Sequence, residues 1–265
     1  MRLKLNHTTR YAYDKPVDYA LQQVRLSPQN NAQQEVVSWD VSVEGGEIET
    51  SYTDHFGTIV HLVSTARNAQ AVAITAQGEV QTTDTSGVFG PARGHVPLWY
   101  FLNSTPLTKA GTQIKAMAAP VVKATDKLHA LHALSEHIIA AAPYQTGTTY
   151  AETAAEDAIA GEGGVCQDHA QIFVAAARSA DIPARYVSGY LLMDDRIEQD
   201  ATHAWAEAHI DGLGWVGFDV SNGISPDDRY VRLAVGLDYT DAAPISGLRL
   251  GDAAEEMAVS LQVQQ

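Results

Sequence analysis

The stretch that decides the fold runs GEGGVCQDHAQIFVAAAR over residues 161–178 and contains the chain's single cysteine, Cys166. Residues 170–178 predict a helix that ends before Pro183, and Cys166 lies where this helix starts. The positive end of a helix dipole stabilises the thiolate, which is the nucleophilic form of cysteine, and the preceding glycines leave the thiol open to a substrate. Asp168, in the first turn, favours the helix but repels a thiolate, so we interpret it as structural. Because a lone cysteine is also often a buried, inert thiol, this motif leaves both interpretations open.

Two strands downstream of the helix predict a β-hairpin that carries an imidazole and a carboxylate. Residues 202–210, THAWAEAHI, alternate between large polar or aromatic side chains and small apolar ones. Because side chains of a strand alternate between its two faces, one face carries His203, Trp205, Glu207 and His209. The second strand, WVGFDV at 215–220, carries Asp219 on the same face as Trp215.

The length of the hairpin loop sets which of these side chains meet. Three residues between the strands predict a short loop with Ile210 opposite Gly214. Asp219 then lies opposite Trp205, and His203 is its diagonal neighbour at about 7 Å between Cβ atoms. A carboxylate at that distance can orient an imidazole and stabilise its protonated form. One residue more or less in the loop would put the two groups on opposite faces of the hairpin.

Other polar residues compete for these roles. His169 follows the cysteine by one helical turn, and we expect it on the flank of the helix without a carboxylate partner. His209 is farther from Asp219 than His203 is. Glu207 shares the face of His203 but lies about 13 Å along the strand, too far to orient its ring. The pattern therefore favours the pair of His203 and Asp219.

Composition and charge exclude several classes of protein. The 265 residues are 45% hydrophobic and 18% charged, which is typical of a chain with a buried core. Lys and Arg number 17 against 32 Asp and Glu, a net charge of −15, and there is no basic cluster for nucleic acid or an anionic membrane. No apolar window approaches the ~18 residues of a membrane span, and the N-terminus lacks the apolar run of a secretory signal. A single cysteine excludes an intramolecular disulfide and a multi-cysteine zinc site. We therefore expect a cytoplasmic protein without a cofactor or a metal.

The pattern divides the chain into four regions. Residues 1–85 contain short alternating strands broken by turn residues, which predicts a β-sandwich-like module. Residues 86–97, rich in Gly and Pro, predict a linker. Residues 98–247 combine helices and strands and predict an α+β core, and 248–265 form a C-terminal tail whose fold the pattern does not indicate.

Four motifs follow one another in the second half of the chain: GGVCQDHA at 163–170, IPARYVSGY at 182–190, HAWAE at 203–207 and GWVGFD at 214–219. In this order they resemble the bacterial transglutaminase-like proteins of the papain-like superfamily. The first 85 residues look like the β-rich module that precedes the catalytic core in many members of that family. The resemblance extends to about Gly247.

The resemblance implies an α+β fold in which a helix carrying Cys166 packs on an antiparallel sheet carrying His203 and Asp219. It also implies that these three residues are the nucleophile, the base and the group that orients the base. The sequence departs from the family pattern at Leu237, where an Arg is expected, and at Tyr230, where His is usual. Both departures lie outside the triad, and they bear on the substrate preference that the family would imply.

A Cys-His-Asp arrangement predicts thiol-dependent acyl transfer at amide or peptide bonds, in which Cys166 forms a thioester that water or an amine resolves. We favour hydrolysis of a peptide or protein substrate, because excluding water requires an enclosed acceptor tunnel that the sequence does not indicate. The alternatives are a protein-glutamine transglutaminase with an amine acceptor, a non-catalytic peptide-binding module, and an arylamine acetyltransferase, for which the chain lacks a basic stretch to bind the coenzyme phosphates. For the oxyanion hole we predict the backbone N–H of Cys166, with Tyr144 or Gln145 as the second donor.

Overall fold

The computed structural model describes residues 1–91, 96–194, 196–199 and 201–265, so residues 92–95 of the predicted linker lie outside the described ranges. The N-terminal region consists of six strands: β1 (Arg2–Val17), β2 (Tyr19–Ser27), β3 (Gln34–Glu44), β4 (Gly46–Thr53), β5 (Ile59–Thr65) and β6 (Ala69–Thr82). The middle of the chain contains β7 (Val88–Gly90), a 3-10 helix (Leu98–Leu102), α1 (Thr112–Lys123), α2 (Lys127–Ala141), α3 (Ala155–Ala160) and α4 (Cys166–Ser179). The remaining elements are β8 (Ala184–Leu191), β9 (Glu198–Gln199), β10 (His203–Ile210), β11 (Gly214–Phe218), β12 (Tyr230–Gly236), α5 (Tyr239–Ala242), β13 (Ile245–Leu250) and β14 (Glu255–Gln264).

The N-terminal strands form two antiparallel sheets, in the orders β3-β6-β1-β14-β9 and β13-β2-β5-β4. Burial alternates along β1, because every second side chain points between the sheets. Leu3 and Ile74 of the first sheet and Val24 of the second belong to one apolar cluster, in which all three are fully buried. The expected β-rich N-terminal region is therefore confirmed.

The two strands at the C-terminus return to these N-terminal sheets. β13 pairs with β2, and β14 pairs with β1 along its whole length, from Tyr13 opposite Glu255 to Lys4 opposite Gln264. The region 248–265, whose fold the sequence did not indicate, thus contributes the end of β13 and all of β14. β7 lies within the predicted linker 86–97 and pairs with β11. The division into four regions stays a prediction.

The second half of the chain is built around α4. The sheet β12-β8-β10-β11-β7 is antiparallel, and α4 lies between this sheet and helices α1, α2 and α3. Every residue from Asp168 to Arg178 is buried, which requires apolar contact on all sides of the helix. Small side chains on one face of β10, such as Ala204 and Ala206, allow α4 to pack closely on the sheet. The expected α+β fold, with the helix of Cys166 on an antiparallel sheet, is confirmed.

The sheet of the core also packs against the N-terminal strands. Tyr190 of β8 and Val231 of β12 belong to the apolar cluster of the N-terminal sheets. Within this contact the Tyr190 hydroxyl lies 2.9 Å from Nδ1 of His7, which is buried, and burial lowers the pKa of His7 to about 4. A neutral imidazole therefore joins the two halves of the chain. Within the described ranges no helix is long and apolar enough to cross a membrane.

Candidate active site

Cys166 is the first residue of α4 and is partly exposed. The turn that presents it is held by Asp168, whose Oδ2 accepts hydrogen bonds from the backbone N–H of Val165 at 2.8 Å and from the hydroxyl of Thr149 at 2.7 Å. Gly164 allows this contact, because a Cβ at that position would lie 2.8 Å from the Asp168 side chain. Asp168 therefore stabilises the start of the helix, which agrees with its interpretation as a structural residue.

The segment before α3 lies beside the glycines that lead to Cys166. Tyr144 forms a parallel β-bridge with Gly164, and the N–H of Gln145 donates to the Gly164 carbonyl at 2.7 Å. The Tyr144 side chain is 54% exposed. Partial burial raises the pKa of its phenol, and the charge of Cys166 raises this pKa further, which places the ring near the thiol. Both residues predicted as oxyanion donors therefore lie beside the glycines that precede the cysteine.

His203 and Asp219 meet at the end of the hairpin. The ladder between β10 and β11 runs from Ile210 opposite Gly214 to Ala206 opposite Phe218, which confirms the predicted register. Asp219 lies one residue beyond the ladder. Its Oδ2 nevertheless accepts a hydrogen bond from Nε2 of His203 at 2.6 Å, and both residues are buried.

Two residues that the sequence did not connect to the site hold the Asp219 carboxylate. The Tyr230 hydroxyl donates to Oδ2 at 2.7 Å, and the Asn222 side-chain amide donates to the same oxygen at 2.7 Å. The backbone N–H of Asn222 donates to Oδ1 at 3.2 Å. Burial alone would raise the pKa of Asp219, but the charge of His203 and these hydrogen bonds lower it below its usual range. The departure from the family pattern at Tyr230 is thus part of the site.

The electrostatics favour a protonated imidazole. Burial opposes the charge on His203, but the negative charge of Asp219 and its hydrogen bond outweigh burial. A hydrogen bond and a charge interaction with Cys166 add to this effect, and the pKa of His203 is raised to about 10. Since Nε2 is occupied by Asp219, Nδ1 is the ring nitrogen left for the cysteine. The arrangement can therefore hold an imidazolium beside Cys166 at neutral pH.

The structure removes two competing residues from the site. His169 is fully buried, and its ring nitrogens contact the Ser221 hydroxyl at 2.8 Å and the Ala142 carbonyl at 2.7 Å. Glu207, also fully buried, pairs with Arg185 at 2.6 Å instead of approaching the histidine. Within the described parts of the chain, no three His, Cys, Asp or Glu residues come together in a way that could hold a metal ion.

Comparisons with known proteins agree with this architecture. Residues 115–220 match the transglutaminase-like superfamily, and residues 3–81 match the bacterial transglutaminase-like N-terminal region. The chain is 27% identical to the uncharacterized protein ML0607 of Mycobacterium leprae over 99% of this chain and 98% of that one. It is 28% identical to the uncharacterized protein Rv2569c of Mycobacterium tuberculosis over 93% of this chain and 87% of that one. A crystal structure of a proposed cysteine protease from Cytophaga hutchinsonii has the same fold, with a TM-score of 0.79 at 22% identity over 100% of this chain and 91% of that one.

Proposed function

Since this chain belongs to the transglutaminase-like superfamily, we propose that it catalyses thiol-dependent acyl transfer at amide or peptide bonds, with water as the acceptor. Cys166 is the nucleophile, His203 the acid and base, and Asp219 the group that orients the imidazole. The hydrogen bond of 2.6 Å between His203 and Asp219, at the end of the sheet nearest the start of α4, carries the proposal.

In the first step the Cys166 thiolate attacks the carbonyl carbon and forms a tetrahedral intermediate. The imidazolium of His203 gives its proton to the nitrogen of the leaving amine, the C–N bond breaks, and a thioester remains on Cys166. Asp219 keeps the ring in one orientation and stabilises its positive charge before the proton leaves. The raised pKa of His203 supports this order, because the proton is on the ring when the attack begins.

The negative charge that develops on the carbonyl oxygen requires hydrogen-bond donors. The N–H of Cys166 is one such donor, because the first N–H groups of a helix have no partner within it. The backbone N–H of Gln145 already donates to Gly164 at 2.7 Å. The second donor is therefore the Tyr144 N–H, the Tyr144 hydroxyl or the Gln145 side-chain amide.

In the second step neutral His203 takes a proton from water as the water oxygen attacks the thioester carbonyl. The C–S bond then breaks, the acid is released, and the Cys166 thiolate is restored beside the protonated imidazole. Exposure supports water as the acceptor. Cys166 is partly exposed, and Tyr144 beside it presents more than half of its surface to solvent.

Intact-mass measurement after incubation with a peptide library tests the proposal. We expect an acyl adduct on the wild-type chain, none on Cys166→Ala, and turnover reduced by about 10³–10⁴ in His203→Ala. His209→Ala is the matched control, since this histidine lies on the same face of β10, outside the site. An added alkylamine separates the acceptors: the free acid as the main product supports hydrolysis, and an amide product supports transamidation. Peptides that bind without an adduct or a product would show that the chain is a binding module.

A further inference from the structure

A cavity of about 300 Å³ lies between the N-terminal sheets and the core, away from Cys166. Its walls come from the loop 29–32 after β2, the loop 56–58 before β5, and the strands β8, β11 and β12. Arg185 of β8 and Arg232 of β12 both line it. Two guanidinium groups therefore meet at one cavity in a chain whose net charge is strongly negative.

The two positive charges share a single carboxylate. Arg185 pairs with Oε2 of Glu207 at 2.6 Å, and Nη2 of Arg232 lies 3.5 Å from the same oxygen. Among the residues that the structure describes, neither arginine pairs with another acid, and the guanidinium of Arg232 makes no hydrogen bond. The cluster therefore carries one positive charge in excess.

The arginines are held in place rather than extended into solvent. Arg185 is only 9% exposed, and its guanidinium carbon lies 3.9 Å from the centre of the Trp215 ring. The guanidinium carbon of Arg232 lies 5.3 Å from the centre of the Phe89 ring. The buried side chain of Gln34, from β3, bonds the backbone N–H of Arg232 at 2.7 Å and its carbonyl at 2.9 Å. Contacts from both halves of the chain thus fix the position of the excess charge.

We propose that this cavity binds the carboxylate or phosphate group of a small organic anion whose apolar part packs against the aromatic side chains that line the cavity. Guanidinium groups present several donors in a plane that matches the oxygens of either group. An excess charge that is shielded from water attracts an anion more strongly than a surface charge does. Burial lowers the pKa of Arg185 to about 9, so the side chain stays positively charged at neutral pH. The volume is at the lower end of that of ligand pockets and suits a molecule of about the size of one amino acid.

Titration of the full chain with two pairs of probes tests this site. The first pair is N-acetylphenylalanine and its neutral amide, and the second is phenyl phosphate and phenol. We expect each anion to bind at least tenfold more tightly than its neutral partner, as measured by calorimetry. Binding of only one anion assigns the site to that group. Equal binding of acid and amide, together with equal binding of phosphate and phenol, would overturn the proposal, and so would the absence of binding by both anions up to about 10 mM.

Substitution of one arginine then locates the binding. Arg232→Gln should weaken anion binding at least tenfold. Arg249→Gln is the matched control, because Arg249 is also half-buried against an aromatic ring but lies outside this cavity. Its guanidinium carbon lies 5.5 Å from the centre of the Tyr13 ring. If Arg232→Gln does not fold, Arg232→Lys keeps a charge for Glu207 but loses the planar group, and it should weaken binding less than tenfold but measurably. Unchanged anion binding in the folded Arg232 variant would contradict the assignment. The titration does not use the thiol, so its outcome is independent of the proposed acyl transfer.

Discussion

Two buried carboxylates that face the same side of the hairpin have different surroundings. Asp219 lies next to an imidazole, and its oxygens accept hydrogen bonds from His203, Tyr230 and Asn222. Glu207 lies next to two arginines, and its Oε1 is buried without a hydrogen-bond partner in the described parts of the chain. The first carboxylate is surrounded by matched donors, and the second balances only one of its two cationic neighbours.

The difference shows what each carboxylate can do. Histidine gains and loses a proton within the range of enzyme chemistry, so a carboxylate beside it can control proton transfer. Arginine keeps its proton, so a carboxylate beside it fixes structure or leaves charge for a ligand. The kind of cation beside each acid therefore determines which of these roles the acid can take.

The largest effect is expected from replacing the acid at the histidine. Asp219→Asn should reduce turnover by about 10²–10⁴, because an amide favours the wrong imidazole tautomer and cannot stabilise the imidazolium. Steady-state kinetics on a peptide substrate, with thermal unfolding as the control for folding, measures this loss. An Asp219→Asn protein with undiminished turnover would show that the carboxylate does not orient the base.

The same change at the second acid should affect stability instead of catalysis. Glu207→Gln leaves Arg185 and Arg232 without their shared counter-charge, and it should lower the free energy of unfolding by about 3 kcal/mol. Turnover per folded molecule should stay within about threefold of the wild type, because Glu207 does not contact the histidine. Chemical denaturation and kinetics below the unfolding transition measure the two quantities. A loss of turnover as large as that of Asp219→Asn would place Glu207 in the catalytic machinery.

The pH dependence of stability distinguishes the two clusters without a change at either acid. The pKa of His203 is about 10 in the folded protein and about 6.5 in an unfolded chain, so the folded state binds more protons between these limits. The stability that protonated His203 supplies is complete below about pH 6.5 and is lost as the pH rises, by at most about 1.4 kcal/mol per pH unit. Denaturation at pH values between about 7 and 9 should show this slope in the wild type and a reduced slope in His203→Gln. Identical slopes in the two proteins would contradict the raised pKa.

A smaller effect is expected from the phenol that holds Asp219. Tyr230→Phe removes one hydrogen bond to the carboxylate and should reduce turnover about tenfold. It should also raise the pKa of Asp219 and so shift the acidic limb of the pH–rate profile upward, which a purely structural role would not do. Tyr52→Phe, at an exposed position of β4, is the matched control, because it removes a phenol hydroxyl far from any buried contact. A pH–rate profile unchanged from the wild type would remove Tyr230 from the site.

Much of the site could be predicted from the sequence because its signals are local. Alternation in β10, a loop of three residues and the resulting register place His203 near Asp219, and glycines before an apolar run place Cys166 at the start of a helix. The observed ladder and the start of α4 agree with these predictions. Each depends on neighbours within about 20 residues in the chain, where backbone geometry limits the alternatives.

The parts that escaped prediction depend on contacts outside the hairpin of β10 and β11. β14 alternates apolar residues at Met257, Val259, Leu261 and Val263, which could have indicated a strand, but its partner β1 lies at the other end of the chain. Tyr230 reaches Asp219 from a third strand, and Asn222 does so through the turn after β11. Both residues are close to Asp219 in the sequence, but the alternation along a strand does not indicate a contact made from a turn or from a strand outside the hairpin.

The rate at which iodoacetamide labels Cys166 near neutral pH tests the central claim most directly, because the chain has one thiol and its thiolate is the reacting form. We predict that the folded wild-type protein is labelled faster than the denatured chain, that His203→Ala removes this difference, and that His209→Ala keeps it. A folded protein whose cysteine is labelled no faster than that of the denatured chain, or whose labelling is indifferent to His203, would contradict the assignment of Cys166 as an activated nucleophile.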